Sequence, residues 1–174
     1  MGVSLYLMLF SIGLLSIFVI SKTAYYRKKI TCMTGMMVAM TLGMSVGLTV
    51  GVIVGILFSS NFFIATVLGM LVGTVVGFLA GVPISLMAIL DGLLSGLMGG
   101  MMGAMLGEMI EEVYHDAIAK IMFFFFLGTL LILIRMINQE VNKKSNVFSD
   151  LFITVIVFVL FFIAFELFDP VFYY

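Results

Sequence analysis

The chain has 174 residues, of which 64% are hydrophobic and 10% are charged, and its formal net charge is −1. A soluble domain is about one quarter charged, so this chain has too few polar side chains to cover a water-soluble globule. Its near-zero net charge provides no field that would attract nucleic acid. A single cysteine, Cys32, excludes an intrachain disulfide. The composition therefore predicts an integral membrane protein whose surroundings are the lipid bilayer, with no nucleic-acid partner.

Apolar runs follow one another along the chain, and each approaches the roughly 20 residues that a helix needs to cross a bilayer. We predict six spans, at about 3–20, 33–58, 62–82, 92–110, 121–137 and 148–168. The predicted fold is an all-α polytopic transmembrane helix bundle that forms one domain, 1–174. The fourth span is short and rich in glycine, so it either crosses fully or re-enters on the same side. Asp91 is expected to cap its first turn.

The breaks between spans carry most of the charge. Seven of the eight basic residues fall in the segments 21–30 and 135–150. Loops on the cytoplasmic side carry an excess of Lys and Arg. We therefore expect both segments to lie on the cytoplasmic side of the plasma membrane, with Cys32 close to that face. Six spans then place both termini outside.

Glycine recurs at every fourth position in three consecutive spans. The rows are Gly43, Gly47, Gly51 and Gly55 in the second span, Gly69, Gly73, Gly77 and Gly81 in the third, and Gly92, Gly96 and Gly100 with Gly99, Gly103 and Gly107 in the fourth. This spacing keeps each row on one helix face. Small residues mark packing faces in lipid because they let two backbones approach closely. Spans two to four are therefore predicted to form a glycine-packed inner unit, and some rows either pack within the chain or face an identical chain.

Ten of the 16 methionines form two clusters with one spacing. The predicted helices of the second and fourth spans, at about 33–58 and 92–110, are called α2 and α4. The α2 cluster is Met33, Met36, Met37, Met40 and Met44, and the α4 cluster is Met98, Met101, Met102, Met105 and Met109. The second cluster repeats the first 65 residues later, and each covers an arc of about 100° on one helix face. Thioether sulfur is a soft ligand that selects Cu(I), and a series of weak ligands suits conduction. Methionine is also a flexible filler of cores, so the clusters indicate either a metal path or packing.

The steps Met36–Met40–Met44 and Met101–Met105–Met109, beside GxxxG helices, resemble the pattern of eukaryotic high-affinity copper transporters of the Ctr type. The resemblance covers only these short segments. The number of predicted spans differs, and a methionine-rich extracellular tail is not seen. What the resemblance implies is transport of Cu(I) along thioether ligands.

Carboxylates and the single histidine surround the end of the fourth span. They are Glu108, Glu111, Glu112, His115 and Asp116, and all but Glu111 are candidate site residues. If the fourth helix continues, Glu112 and Asp116 project on its methionine side and Glu108 lies near the edge of that side. We expect either an acidic mouth that concentrates cations, with His115 as a ligand, or a solvated acidic loop.

Motifs of catalysis are missing from the sequence: there is no phosphate-binding loop, HExxH, CxxC, or nucleophile paired with histidine. We therefore predict that the protein is not an enzyme. The leading interpretation is an oligomeric channel or carrier for a soft metal ion such as Cu(I). The alternatives are a non-transporting scaffold or assembly subunit of a larger membrane complex, and a pore-forming lytic protein.

Overall fold

The computed structural model of the chain describes residues 2–26, 30–58 and 61–141. The helices are α1 (Gly2–Tyr25), α2 (Cys32–Leu57), α3 (Phe62–Gly81), α4 (Leu86–Met109) and α5 (His115–Val141), with a short 3-10 turn at Glu112–Tyr114. All five α-helices are long and apolar enough to cross a bilayer. The predicted all-α transmembrane bundle is confirmed. The predicted sixth span, 148–168, lies outside the described residues.

Several helix ends differ from the prediction, most of all at the start of α4. This helix begins at Leu86 and not at residue 92, because the Ser85 side chain caps it by accepting a hydrogen bond from the Ala88 N–H at 3.2 Å. Asp91 lies inside the helix and is exposed, so its predicted capping role is wrong. With 24 residues, α4 is about 36 Å long and can cross the whole hydrocarbon layer. The flanking helices α1 and α5 also extend beyond their predicted bounds of 3–20 and 121–137.

Contacts at one end of the bundle fix the directions of the helices. The Cys32 thiol at the start of α2 lies 3.3 Å from the Ser85 hydroxyl at the start of α4. The Glu140 carboxylate at the end of α5 accepts a hydrogen bond of 3.2 Å from the Thr31 N–H. Thus α2 and α4 run parallel to each other, and α3 and α5 run antiparallel to them.

The glycine rows of α2, α3 and α4 meet in layers, each with one glycine from every helix. The three glycine layers are Gly43 with Gly77 and Gly92, Gly47 with Gly73 and Gly96, and Gly51 with Gly69 and Gly100. A Cβ atom on Gly47 would lie 2.7 Å from the Gly96 carbonyl oxygen and 3.3 Å from the Gly73 Cα atom. The register continues into small buried residues on both sides, with Gly55, Ala65 and Ala104 at one end and Ala39, Gly81 and Ala88 at the other. The predicted inner unit of spans two to four is therefore present.

The second glycine row of α4 packs on the neighbouring side of α2. Gly99, Gly103 and Gly107 face the carbonyl groups of Met44, Leu48 and Val52. Helix α2 thus contacts both rows of α4 and is the most buried of the five helices. Outside this unit, α5 packs on α2, and α1 contacts α2, α3 and α5. Because the three inner backbones touch along the described layers, the interior of the unit is closed.

Candidate metal-binding surface

The methionine clusters lie on the outside of the folded chain. Nine of the ten residues are exposed, from 38% at Met101 to 82% at Met109. The exception is Met36, which is half-buried against the core. The core contains Val, Leu, Ile, Phe and Ala side chains. Apart from Met36, the methionines of the two clusters therefore lie outside the core of the single chain.

Each cluster has a different relation to the glycine rows of its helix. On α4 the glycines are buried and the methionines lie on the opposite, exposed side, as the spacing predicts. On α2 the methionine face and the glycine row are successive parts of one drifting stripe. Met40 is exposed in the first half of the helix, whereas Gly51 and Gly55 are buried against α4 in the second half.

The two clusters occupy successive depths of the bundle. Gly99 packs against the carbonyl oxygen of Met44, the last member of the α2 cluster. Met98, the first member of the α4 cluster, is adjacent to Gly99 in the chain. Each cluster extends over 11 residue steps, or about 16 Å of helix. Since α2 and α4 are parallel, the two clusters together cover about 30 Å, the thickness of the hydrocarbon core.

A groove between α2 and α5, here called the α2–α5 groove, brings in a further methionine. It has a volume of about 410 Å³, and its lining includes Met40, Met44 and Met122. Met122 is an isolated methionine in an apolar span, so the sequence pattern does not indicate it as a ligand. Only the packing of α5 on α2 places it beside two members of the α2 cluster.

Hydroxyl groups form a second part of the groove wall. Thr41 donates to the Met37 carbonyl oxygen at 2.6 Å, Thr49 to that of Ser45 at 2.8 Å, and Thr129 to that of Phe126 at 2.8 Å. These bonds use the hydroxyl protons within each helix. The oxygen lone pairs remain available as weak acceptors.

The acidic residues near the end of α4 differ in their surroundings. Glu108 is half-buried, and its Oε2 atom is buried without a hydrogen-bond partner among the described residues. Glu111 is exposed. The side chains of Glu112 and Asp116 lie outside the described part of the structure. Glu108 is thus the one member of the predicted acidic mouth for which the structure gives an unsatisfied group.

His115 stands at the first position of α5 and is half-buried. Its Nε2 atom lies 2.8 Å from the carbonyl oxygen of Ile110. With a proton on Nε2, the ring donates this bond and ties α5 to the end of α4. Among the described residues, no three His, Cys, Asp or Glu residues come together as a metal-binding group.

The exposed thioethers give this surface its distinctive chemistry. Sulfur from methionine is neutral and soft, so it suits Cu(I) and not a hard divalent ion. No known protein family, curated protein or solved structure matches the chain.

Proposed function

We propose that the protein is an oligomeric channel or carrier of the plasma membrane that moves a soft metal ion, with Cu(I) as the best single substrate, and that it is not an enzyme. The observation that carries the proposal is the placement of both methionine clusters on exposed helix surface. A methionine used only as a filler belongs in irregular gaps of a core. Here such gaps are closed by glycine, alanine and β-branched residues.

The depth of the clusters supports transport over static binding. A path across the bilayer needs ligands at successive depths, each weak enough to release its ion. The thioethers of α2 and α4 are distributed over about 30 Å along the bundle, a length equal to the thickness of a hydrocarbon core. Each offers one soft and exchangeable donor, which is the ligand type that Cu(I) prefers.

The closed inner unit supports an oligomer. Since the backbones of α2, α3 and α4 touch along the glycine layers, an ion crosses along the outer surface of the unit. One exposed thioether face supplies ligands from one side only. A second copy of the chain facing the α4 cluster would complete the ligand shell and shield the ion from lipid.

Metal flux tests this function. Purified protein is reconstituted in vesicles, and uptake of Cu(I), or of Ag(I) as a redox-inert substitute, is measured for wild type and for the triple variant Met101→Leu, Met102→Leu, Met105→Leu. Leucine keeps most of the apolar volume and removes the sulfur. We expect flux to fall about tenfold or more, because even outer-shell partners of a metal contribute on the order of 10–100-fold to affinity.

The matched control is Met87→Leu, an exposed methionine of α4 outside both clusters. Its flux is expected to equal that of wild type. Unchanged flux in the triple variant would remove the metal claim. Wild-type protein that carries no metal but co-purifies in mild detergent with stoichiometric partners would favour a membrane scaffold.

The orientation of the chain is part of the proposal, with segments 21–30 and 135–150 in the cytoplasm. Cys32 is exposed at the start of α2, beside the first of these segments. In intact cells an impermeant thiol reagent is therefore expected to leave Cys32 unlabelled and to label it after permeabilisation. Labelling without permeabilisation would reverse the orientation, and Cys32→Ser provides the background.

A further inference from the structure

We infer that the α2–α5 groove is a Cu(I) site in which Met122 joins Met40 and Met44 as a ligand. The inference rests on the proposed function and assigns part of its path. Three thioethers from two different helices line one cavity of about 410 Å³. Methionine has three rotatable bonds, so neighbouring pairs of these side chains can turn into the groove and bind an ion.

The antiparallel register of α2 and α5 places the three methionines at successive depths along the groove. The Glu140–Thr31 hydrogen bond sets the two helices side by side at one end. Thr49 lies 18 residues after Thr31 in α2, and Met122 lies 18 residues before Glu140 in α5. Thr49 and Met122 are therefore at the same depth of the bundle, and both line the groove. Met44 is five residues back from Thr49, about 7.5 Å along the axis, and Met40 is about 6 Å further.

This arrangement makes Met44 the shared member of two ligand pairs. Met40 and Met44 are four residues apart, so they lie on one face of α2. Met44 of α2 and Met122 of α5 line the same groove from two different helices. An ion held by the first pair passes to the second pair by exchanging one thioether for another, and it stays Cu(I) throughout.

Met122 also extends the ligand series in depth. The α2 cluster ends at Met44. Met122 lies at the depth of Thr49, which is more than one helical turn further along α2. At nearly that depth, Leu48 of α2 contacts Gly103 of α4, which is adjacent to Met102. The groove therefore carries thioether ligands from the end of the α2 cluster to the depth of the α4 cluster.

The affinity for Cu(I) tests this site in the purified full-length protein. Cu(I) is titrated against a competing chromogenic chelator for wild type, Met122→Leu and Met44→Leu. We expect each variant to bind about tenfold more weakly or worse, a loss at least as large as that of an outer-shell partner. Because Met44 belongs to both pairs, its variant is expected to lose more affinity than the Met122 variant.

The control is Met136→Leu, which is half-buried on the same helix as Met122 but does not line the groove. Its affinity is expected to match that of wild type. Equal Cu(I) affinity of wild type, Met122→Leu and Met44→Leu would overturn the groove site. If metal flux is still lost in the triple variant of the α4 cluster, the proposed function stands without the groove site. Absence of Cu(I) binding in wild type would overturn both. Met40→Leu, at a position 49% exposed, gives the same test if the Met122 variant fails to fold.

Discussion

Replacing Gly96 by alanine is expected to destabilise the protein by about 3 kcal/mol, the upper end of the usual range for overpacking. The new Cβ atom would collide with the carbonyl group of Gly73 and approach the Thr74 nitrogen at 2.9 Å. These are backbone atoms, so they cannot rotate away as the end of a side chain can. The helices α3 and α4 would have to separate, and the layers above and below would open with them. The free energy of unfolding, measured in mixed micelles by titration with a denaturing detergent, gives the effect.

The matched control is Gly13→Ala in α1, where a Cβ atom would meet nothing within 4 Å. Alanine favours a helix by about 1 kcal/mol over glycine, so this variant is expected to be as stable as wild type or more so. The two substitutions are chemically identical, and only the Gly96 variant is predicted to lose stability. Equal stability of the Gly96 and Gly13 variants would contradict the layered packing.

The inner unit could be predicted from the sequence because glycine at every fourth position has a direct physical meaning in lipid. The partners in each layer could not. Gly47 faces both Gly73 and Gly96, and this register depends on the number of residues that join α2 to α3 and α3 to α4. The start of α4 could not be predicted either, because the carboxylate of Asp91 and the hydroxyl of Ser85 are both good N-caps. Only the structure shows that Ser85 holds the Ala88 N–H.

The sequence predicts which methionines share a helix face, but it does not predict whether that face is exposed. Periodicity places Met101 and Met105 on one face of α4, yet a single helix does not reveal what packs on that face. The buried glycines on the opposite side leave the methionines outside. Met122 could not be predicted as a ligand, because only the antiparallel packing of α5 on α2 brings it beside Met40 and Met44. The ligand role of His115 remains a prediction, and its Nε2 atom already has a partner in Ile110.

Replacing Glu108 by methionine is expected to stabilise the protein by about 1–3 kcal/mol, the cost of a buried polar group left without a hydrogen bond. Glu108 follows Ala104 by one helical turn, and Ala104 contacts Gly55 at the end of the small-residue layers. Its Oε2 atom is buried and has no partner within the described residues. Methionine has a similar length and favours a helix, so the change removes the unsatisfied oxygen and keeps the packing. The same titration in mixed micelles measures it.

Glu111→Met is the control, because Glu111 is exposed and its replacement should change stability by no more than about 0.5 kcal/mol. A Glu108 variant that is less stable than wild type would mean that the carboxylate has a partner outside the described residues. Stabilisation combined with loss of metal flux would give Glu108 a role in function. A carboxylate without a partner among the described residues is costly in a membrane. Near the α4 cluster, its negative charge would attract cations to the thioethers. Stabilisation with unchanged flux would remove Glu108 from the path and leave the methionines as its ligands.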